Sequence, residues 1–216
     1  MKFLFENLIG LLSISILVIN TVVLSCLLIP LGLIKFFLPF VSLKIIFTNF
    51  IIKIGEIWIF INKIWVKLLH SPNWEVIGRE NIKLGRWSIA TSNHQSFADI
   101  FLLQDITNKK MPMLKFFMKY VLIYVPVIGI SWWALDMPFL KRYTQKQLSK
   151  NPKLKGKDFN EMKRALKHYS LYPVTVFSFA EGTRFTHKKH LNQKSPFENL
   201  LKPKEGGLAT AISLVN

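Results

Sequence analysis

From Asn7 to Ile34 the chain carries no charged residue, a run of 28 positions. A helix of that length reaches roughly 42 Å at ~1.5 Å per residue, and a bilayer core needs only about 20 apolar residues. Leu, Ile and Val dominate the run, with Ser, Asn and Thr as polar guests. It is longer than the ~7–15-residue apolar core of a secretory signal, and Ser25-Cys26-Leu27 makes a poor cleavage site. A retained membrane helix is the expectation. Lys2 and Glu6 precede it, whereas Lys35, Lys44, Lys53, Lys63 and Lys67 follow. That asymmetry puts the N-terminus outside and everything from Lys35 onward in the cytoplasm.

Residues 41–69 form a second apolar segment, separated from the first by Pro39. At about 100° per residue, Asn49, Lys53, Glu56, Lys63 and Lys67 fall on one arc, while Ile51, Ile54, Ile57, Trp58, Ile61, Trp65 and Leu68 fall opposite. The pattern suits an interfacial helix whose basic stripe faces anionic head groups. A second spanning helix is the alternative, which would place Lys53 and Glu56 in hydrocarbon at a few kcal/mol each.

The 216 residues leave room for one domain beyond this anchor, giving membrane helices at 1–70 and a domain at 71–216. Half of the chain is hydrophobic and its net charge is +17, from 29 Lys and Arg against 12 Asp and Glu. A disordered chain is excluded. So greasy and basic a protein suits an anionic leaflet or nucleic acid. No nucleic-acid motif or basic-aromatic platform is present, so nucleic acid is not an expected partner. One cysteine, Cys26, rules out an internal disulfide framework and a Cys-based zinc site, and no metal site is suggested.

Trp74 to Gly78 and Trp87 to Ser92 are strand candidates, Ile100 to Ile106 continues as an amphipathic helix, and Val174 to Phe179 is a β-rich run after Pro173. Tyr120 to Leu135 is uncharged but broken by Pro126 and Gly129, which favours a buried wall over a span. Lys141 to Lys167 is a polar stretch with a loop at Asn151-Pro152 and Gly156. The alternation predicts an α/β or α+β core.

Two stretches could carry chemistry. In Ser92-Asn93-His94-Gln95-Ser96-Phe97-Ala98-Asp99, His94 and Asp99 are five positions apart. On one continuous helix they would lie about 140° apart. They can pair only if His94 sits in the turn and Asp99 in the first helical turn, where Ser96 or Asp99 could also cap free N–H groups. An Asp that holds an imidazole in one tautomer leaves its other nitrogen a competent base. In Phe179-Ala180-Glu181-Gly182-Thr183-Arg184, a strand ends in a turn. Gly182 permits a tight path. Arg184 offers a planar fork for phosphate, which Glu181 could orient by pairing with it.

Together these stretches resemble the glycerolipid acyltransferase superfamily, which includes 1-acyl-glycerol-3-phosphate (lysophosphatidate) acyltransferases. Lys119-Tyr120-Val121-Leu122 with Pro126 and Gly129, and Phe139-Leu140-Lys141-Arg142, look like two further blocks of that family. Trp132-Trp133-Ala134-Leu135-Asp136 with Pro138-Phe139 most resembles its lysocardiolipin-acyltransferase-like branch, bacterial membrane proteins included. The resemblance covers about 74–216. It implies an α/β acyltransferase core behind an N-terminal membrane helix and a second interfacial or spanning helix. Ala180 stands where the family usually has Pro. Family members also continue past Gly206-Gly207 into a strand with a Val-Pro-type block, so the chain ending at Val215-Asn216 reads as C-terminally truncated, and an inactive lipid-binding protein is the alternative to an enzyme.

The implied reaction moves a fatty acyl group from acyl-CoA or acyl carrier protein to the hydroxyl of a lysophospholipid at the inner (cytoplasmic) membrane. By the resemblance, His94 is the base and Asp99 its orienting partner. Lys119, Arg142 and Arg184 hold the acceptor phosphate, and Glu181, Gly182 and Thr183 shape that pocket. No cofactor is implied beyond the acyl co-substrate.

Overall fold

A computed structural model describes residues 2–82, 87–204, 208–209 and 211–213. The N-terminal segment is a helical hairpin, α1 (Lys2–Phe37) and α2 (Val41–His70). Pro39, which lacks an N–H, falls in the break, and Phe40 is extended at the start of α2. The two helices run antiparallel and meet through polar groups that would otherwise be stranded among apolar side chains. Ser13 Oγ lies 2.9 Å from His70 Nε2, and Asn20 Nδ2 donates to Asn62 Oδ1 at 2.9 Å. Leu28 packs with Ile51 nearer the turn.

The domain is built on a parallel sheet of β1 (Ser88–Ser92), β5 (Thr175–Phe179) and β2 (Leu114–Phe116), with β5 in the centre. Thr175, Val176 and Phe177 are buried, as expected of a central parallel strand covered on both faces. α3 (Ala98–Thr107) connects β1 to β2. A second, two-stranded parallel sheet pairs β3 (Met118–Lys119) with β4 (Phe139–Leu140), and between these lie a 3-10 turn at Tyr120–Tyr124 and α4 (Ile128–Ala134). The polar stretch forms α5 (Gln145–Lys150), a 3-10 turn at Pro152–Leu154 and α6 (Lys157–Tyr169). α7 (His187–Gln193) follows β5. Because the main sheet is parallel, β1 and β5 end side by side, with Ser92 the registered partner of Phe179. Both motif loops leave from that edge, the usual ligand edge of an α/β sheet.

One core gathers Leu140, Met162, Tyr169, Tyr172, Val174 and Val176 between the sheet and α6. Another joins hairpin to domain, with Leu28, Ile51 and Leu135 buried against Met113 and Met137. Polar contacts extend this seam. Ser131 donates to Ser25 Oγ at 2.7 Å, Lys35 meets Asp136 at 2.8 Å, and Lys63 meets Asp105 at 2.6 Å. Trp65 stacks edge-on to Phe101.

Several expectations change. Residues 74–78 form no strand; the segment runs in coil into a turn. Residues 120–135 are not a continuous wall. Gly129, Ser131 and Ala134 of α4 are buried, while Val121, Tyr124 and Val127 are exposed. α1 does not stand alone, since α2 flanks it and α4 packs on its C-terminal half. Lys35, counted among the lysines that follow the first helix, is buried and ion-paired. Gly206, Gly207, Val215 and Asn216 lie outside the described residues.

Candidate active site

The loop after β1 and the loop after β5 are stitched together by their backbones. Ala180 N–H donates to Ser92 O at 3.0 Å, and Phe185 N–H donates to His94 O at 2.7 Å. His94 N–H donates to Glu181 Oε1 at 3.0 Å. The base candidate is thus held at its main chain by the second motif.

Its ring is held separately. His94 Nδ1 lies 2.9 Å from Asp99 Oδ2. Its plane stacks on Phe179, with centroids 3.9 Å apart and 12° between planes. Asp99 sits in the first turn of α3 and reaches back to the turn ahead of the helix, where Oδ2 also accepts from Gln95 N–H at 2.7 Å and Ser96 N–H at 2.9 Å. Burial alone would raise the Asp99 carboxyl, but the bond from His94 and the two N–H groups outweigh it and hold it below the ordinary aspartate value. An ionised Asp99 accepts only, so Nδ1 carries the hydrogen and Nε2 presents a lone pair. Nε2 has no hydrogen-bond partner among the described residues.

Glu181 does not pair with Arg184. Its carboxylate is 1% exposed and is shared between His94 N–H and Leu201 N–H, the latter at 2.9 Å. It clamps the base loop to the segment that follows α7, a use for a buried carboxylate that only the tertiary fold reveals. Arg184 instead lies over the Phe97 ring, its guanidinium carbon 3.6 Å from the centroid. Gly182 takes φ +65°, a left-handed conformation natural to glycine, and a side chain there would crowd Lys204.

Arg142, itself at φ 55°, reaches the same turn from β4. It donates from Nη1 to Gly182 O at 3.2 Å and from Nη2 to Phe117 O at 2.9 Å. Burial lowers its pKa from the ordinary arginine value, and Asp158 opposes that shift. Asp158 also fixes the segment by accepting from Lys141 N–H and Tyr143 N–H. Lys119 is exposed at the end of β3.

All these cations border one cavity of about 470 Å³. His94, Lys119, Arg142, Thr183, Arg184 and Lys189 are among its polar lining residues, with Glu56 and Lys109 also on its wall; Gly55, Trp58, Ile100, Phe116, Met113 and Leu135 supply an apolar part from α2, α3, β2 and the α4 end. Among the described residues no group of three or more His, Cys, Asp or Glu could hold a metal ion.

Three residues of this site escape the sequence reading. Phe97 and Phe179 lie inside the motifs but look like ordinary core aromatics. Lys189 lies beyond them, and its Nζ donates to Thr183 Oγ1 at 2.8 Å and to Arg184 O at 2.7 Å. The available signal was Thr186, which caps α7 by accepting from Lys189 N–H and so sets a short helix immediately after the turn.

Residues 73–214 match the family described as Acyltransferase. A relative from Arabidopsis thaliana named 1-acyl-sn-glycerol-3-phosphate acyltransferase 3 is 28% identical over 173 residues, which is 73% of this chain and 41% of that protein. The chain therefore spans about two fifths of the length of that curated relative. No solved structure matches it.

Proposed function

Because the chain belongs to the acyltransferase family, we propose that it transfers a fatty acyl group from acyl-CoA or acyl carrier protein to the free hydroxyl of a lysophospholipid such as 1-acyl-glycerol-3-phosphate. The observation that carries this reading is the His94–Asp99 pair, set beside a cavity that joins a cationic lining to an apolar one. The name of the plant relative points to the same acceptor class.

The acceptor hydroxyl approaches His94 Nε2, which takes its proton as the oxygen attacks the thioester carbonyl. Asp99 keeps Nδ1 protonated and stabilises the imidazolium that forms. The tetrahedral intermediate collapses, the carbon–sulfur bond breaks, and the imidazolium returns its proton to the departing thiolate. No acyl-enzyme is formed. The apolar lining from α2 and α3 takes the acyl chain, and the cations take the phosphate. Arg142 contributes by bracing Gly182 and Phe117.

The hairpin supplies the membrane contact. Both helices are long and apolar enough to cross a bilayer. The domain follows them from Lys35 near the turn to Trp65 near the open end. At ~1.5 Å per residue that path is on the order of 30 Å, the thickness of the hydrocarbon core. An upright hairpin would carry the polar flank of the domain into lipid. We therefore infer, against the expectation of a first helix that crosses with its N-terminus outside, that the hairpin lies along the cytoplasmic leaflet, with Leu8, Leu11, Val18, Val22 and Leu27 among its exposed apolar side chains. The net charge of +17 favours an anionic surface.

The test is reconstitution. The purified protein in nanodiscs is supplied with labelled acyl-CoA or acyl carrier protein and a panel of lysophospholipids. Diacylated product from at least one acceptor is expected. Thioester hydrolysis with no acylated lipid would overturn the reading.

A further inference from the structure

Charge is not spread evenly over this chain. Residues 141–167 hold ten of its 29 Lys and Arg but two of its 12 Asp and Glu, so a net +8 of the total +17 sits on 27 of 216 residues. The two carboxylates offset little of it. Asp158 is half-buried and accepts from Lys141 N–H and Tyr143 N–H, and Glu161 pairs with Arg164 at 3.1 Å. Lys146 and Lys150 of α5, Lys153 and Lys155 of the turn, and Lys163 and Lys167 of α6 are exposed, with no carboxylate partner among the described residues. Like charges this dense repel one another, and a partner of opposite sign relieves the repulsion.

The tract begins at the cavity beside His94. Arg142 lines that cavity and donates to Gly182 O and Phe117 O, and Lys141 Nζ lies 4.9 Å from the centroid of the Tyr120 ring. From there α5 and α6 carry the charge outward, and the 13 residues of α6 extend ~20 Å at ~1.5 Å each. α6 turns Met162 and Tyr169 into the core it shares with Val176 of β5. Phe177, the next residue, points to the other face of the sheet and lines the cavity with Trp58 of α2. The lysine face therefore looks away from the α2 side. A surface that binds a membrane carries apolar anchors among its cations. Among the described residues of this tract, Phe159 is the one exposed large hydrophobic side chain.

We propose that α5, the 3-10 turn at Pro152–Leu154 and α6 form a docking surface for an acidic acyl carrier protein, which makes a carrier-bound thioester the acyl donor. The inference rests on the acyl-transfer reading above and chooses between the two donors it allows. Acyl carrier proteins are small acidic helical domains that present the acyl group on a flexible phosphopantetheine arm. A carrier docked on the lysines sends that arm past Arg142 into the cavity. CoA brings the same arm but only a nucleotide head, too small to cover a surface ~20 Å long. Complementary charge of this kind speeds encounter and sets orientation more than it adds affinity, which suits a donor that must leave after each turnover.

The test uses the full chain in nanodiscs with lysophosphatidate as acceptor, and compares palmitoyl-carrier protein with palmitoyl-CoA as donor. Combining Lys150→Glu, Lys155→Glu and Lys163→Glu reverses three charges of the tract and leaves Arg142 alone. This variant is expected to raise KM for the carrier-bound donor at least about tenfold, with KM for acyl-CoA within about twofold of wild type. A control combining Lys188→Glu, Lys194→Glu and Lys202→Glu, exposed elsewhere on the domain, should move neither KM by more than about twofold. Added salt should raise the wild-type KM for the carrier-bound donor steeply, and that of the tract variant less. Unchanged carrier kinetics in the tract variant would overturn the proposal, as would equal rises for both donors or an equal effect from the control. Lost binding to phosphatidylglycerol vesicles with carrier kinetics intact would do the same by giving the tract to the membrane. Equilibrium binding of the carrier protein to the chain in nanodiscs separates the surface from the reaction. If neither donor yields acylated lipid, the acyl-transfer reading fails, and the surface stands only if the tract variant binds the carrier at least about tenfold more weakly than wild type. Absence of carrier binding by wild type would overturn the proposal even where acyl-CoA supports transfer.

Discussion

At the scale of single residues, the site depends on carboxylates whose bonds are made to backbone as much as to side chains. Asp99 serves His94 and two N–H groups; Glu181 serves two N–H groups at the ends of separate segments. Their different uses predict different failures. Glu181→Gln turns an amide NH₂ toward one of two buried donors, leaving it unsatisfied at about 1–3 kcal/mol. For a chain of this size each kcal/mol moves Tm by roughly 2–4 °C. Thermal unfolding should therefore show a clear drop in Tm, and kcat should fall with it as the His94 loop loosens. If Glu181 acted by orienting Arg184, acceptor KM alone would rise and Tm would hold. The His94–Asp99 pairing was accessible from spacing, because five residues exclude a single helix and leave only a turn into a helix. The Glu181 clamp was not, because Leu201 lies twenty positions away and main-chain donors have no sequence signature.

At the scale of elements, close packing sets where the hairpin meets the domain. Gly32 of α1 faces α4, and a Cβ there would lie 2.5 Å from Ala134 Cβ and 3.1 Å from its Cα. Gly10 on the same helix has nothing within 4 Å. Helix propensity favours Ala over Gly by up to ~1 kcal/mol at both places. Overpacking costs about 1–3 kcal/mol, so at Gly32 the clash wins. Gly32→Ala should lower Tm in detergent, and Gly10→Ala should leave it equal or slightly higher. Equal effects at the two positions would show that α4 does not seat on α1 as described. Strands β1 and β5, helix α3 and the break at Pro39 were legible in the sequence, because turn residues and apolar runs mark them. The failure at 74–78 has a physical reason. Trp74, Val76 and Ile77 have strand propensity, but among the described residues no partner strand lies beside them to complete the ladder, and Ile77 remains exposed. The helical angles of α2 leave Asn62 off the polar stripe, and what binds it there was not legible. Helical angles locate a stripe but not a neighbour, and the buried Asn62 is bound by Asn20 of α1 and by Trp65.

At the scale of the whole molecule, one buried charge cluster ties hairpin, sheet and α6 together. Asp136 pairs with Lys35 from α1, accepts from Tyr172 at 2.8 Å and lies near His168. Burial opposes its charge, but His168, Lys35 and Lys115 outweigh that and hold it below the ordinary aspartate value. Lys115, fully buried on β2, donates to Leu135 O at 2.6 Å. Burial lowers its pKa from 10.5 to about 8, more than the nearby Asp136 restores. The folded state thus binds fewer protons than the unfolded chain above pH 8. The cost of burying this charge is fully present below about pH 8 and is relieved as pH rises toward 10.5. Lys115→Met should flatten the pH dependence of denaturant stability between about pH 8 and 10, relative to wild type. Identical slopes would place Lys115 in contact with water. The proposed function rests on one nitrogen, His94 Nε2, as the proposed base beside the cavity. Its most direct test compares wild type with His94→Ala for acyl transfer from labelled donor to lysophosphatidate in nanodiscs, with binding of the acceptor measured on both. The account predicts unchanged acceptor binding and a loss of transfer of at least about a thousandfold. A variant that still transferred at more than a few per cent of the wild-type rate would contradict it.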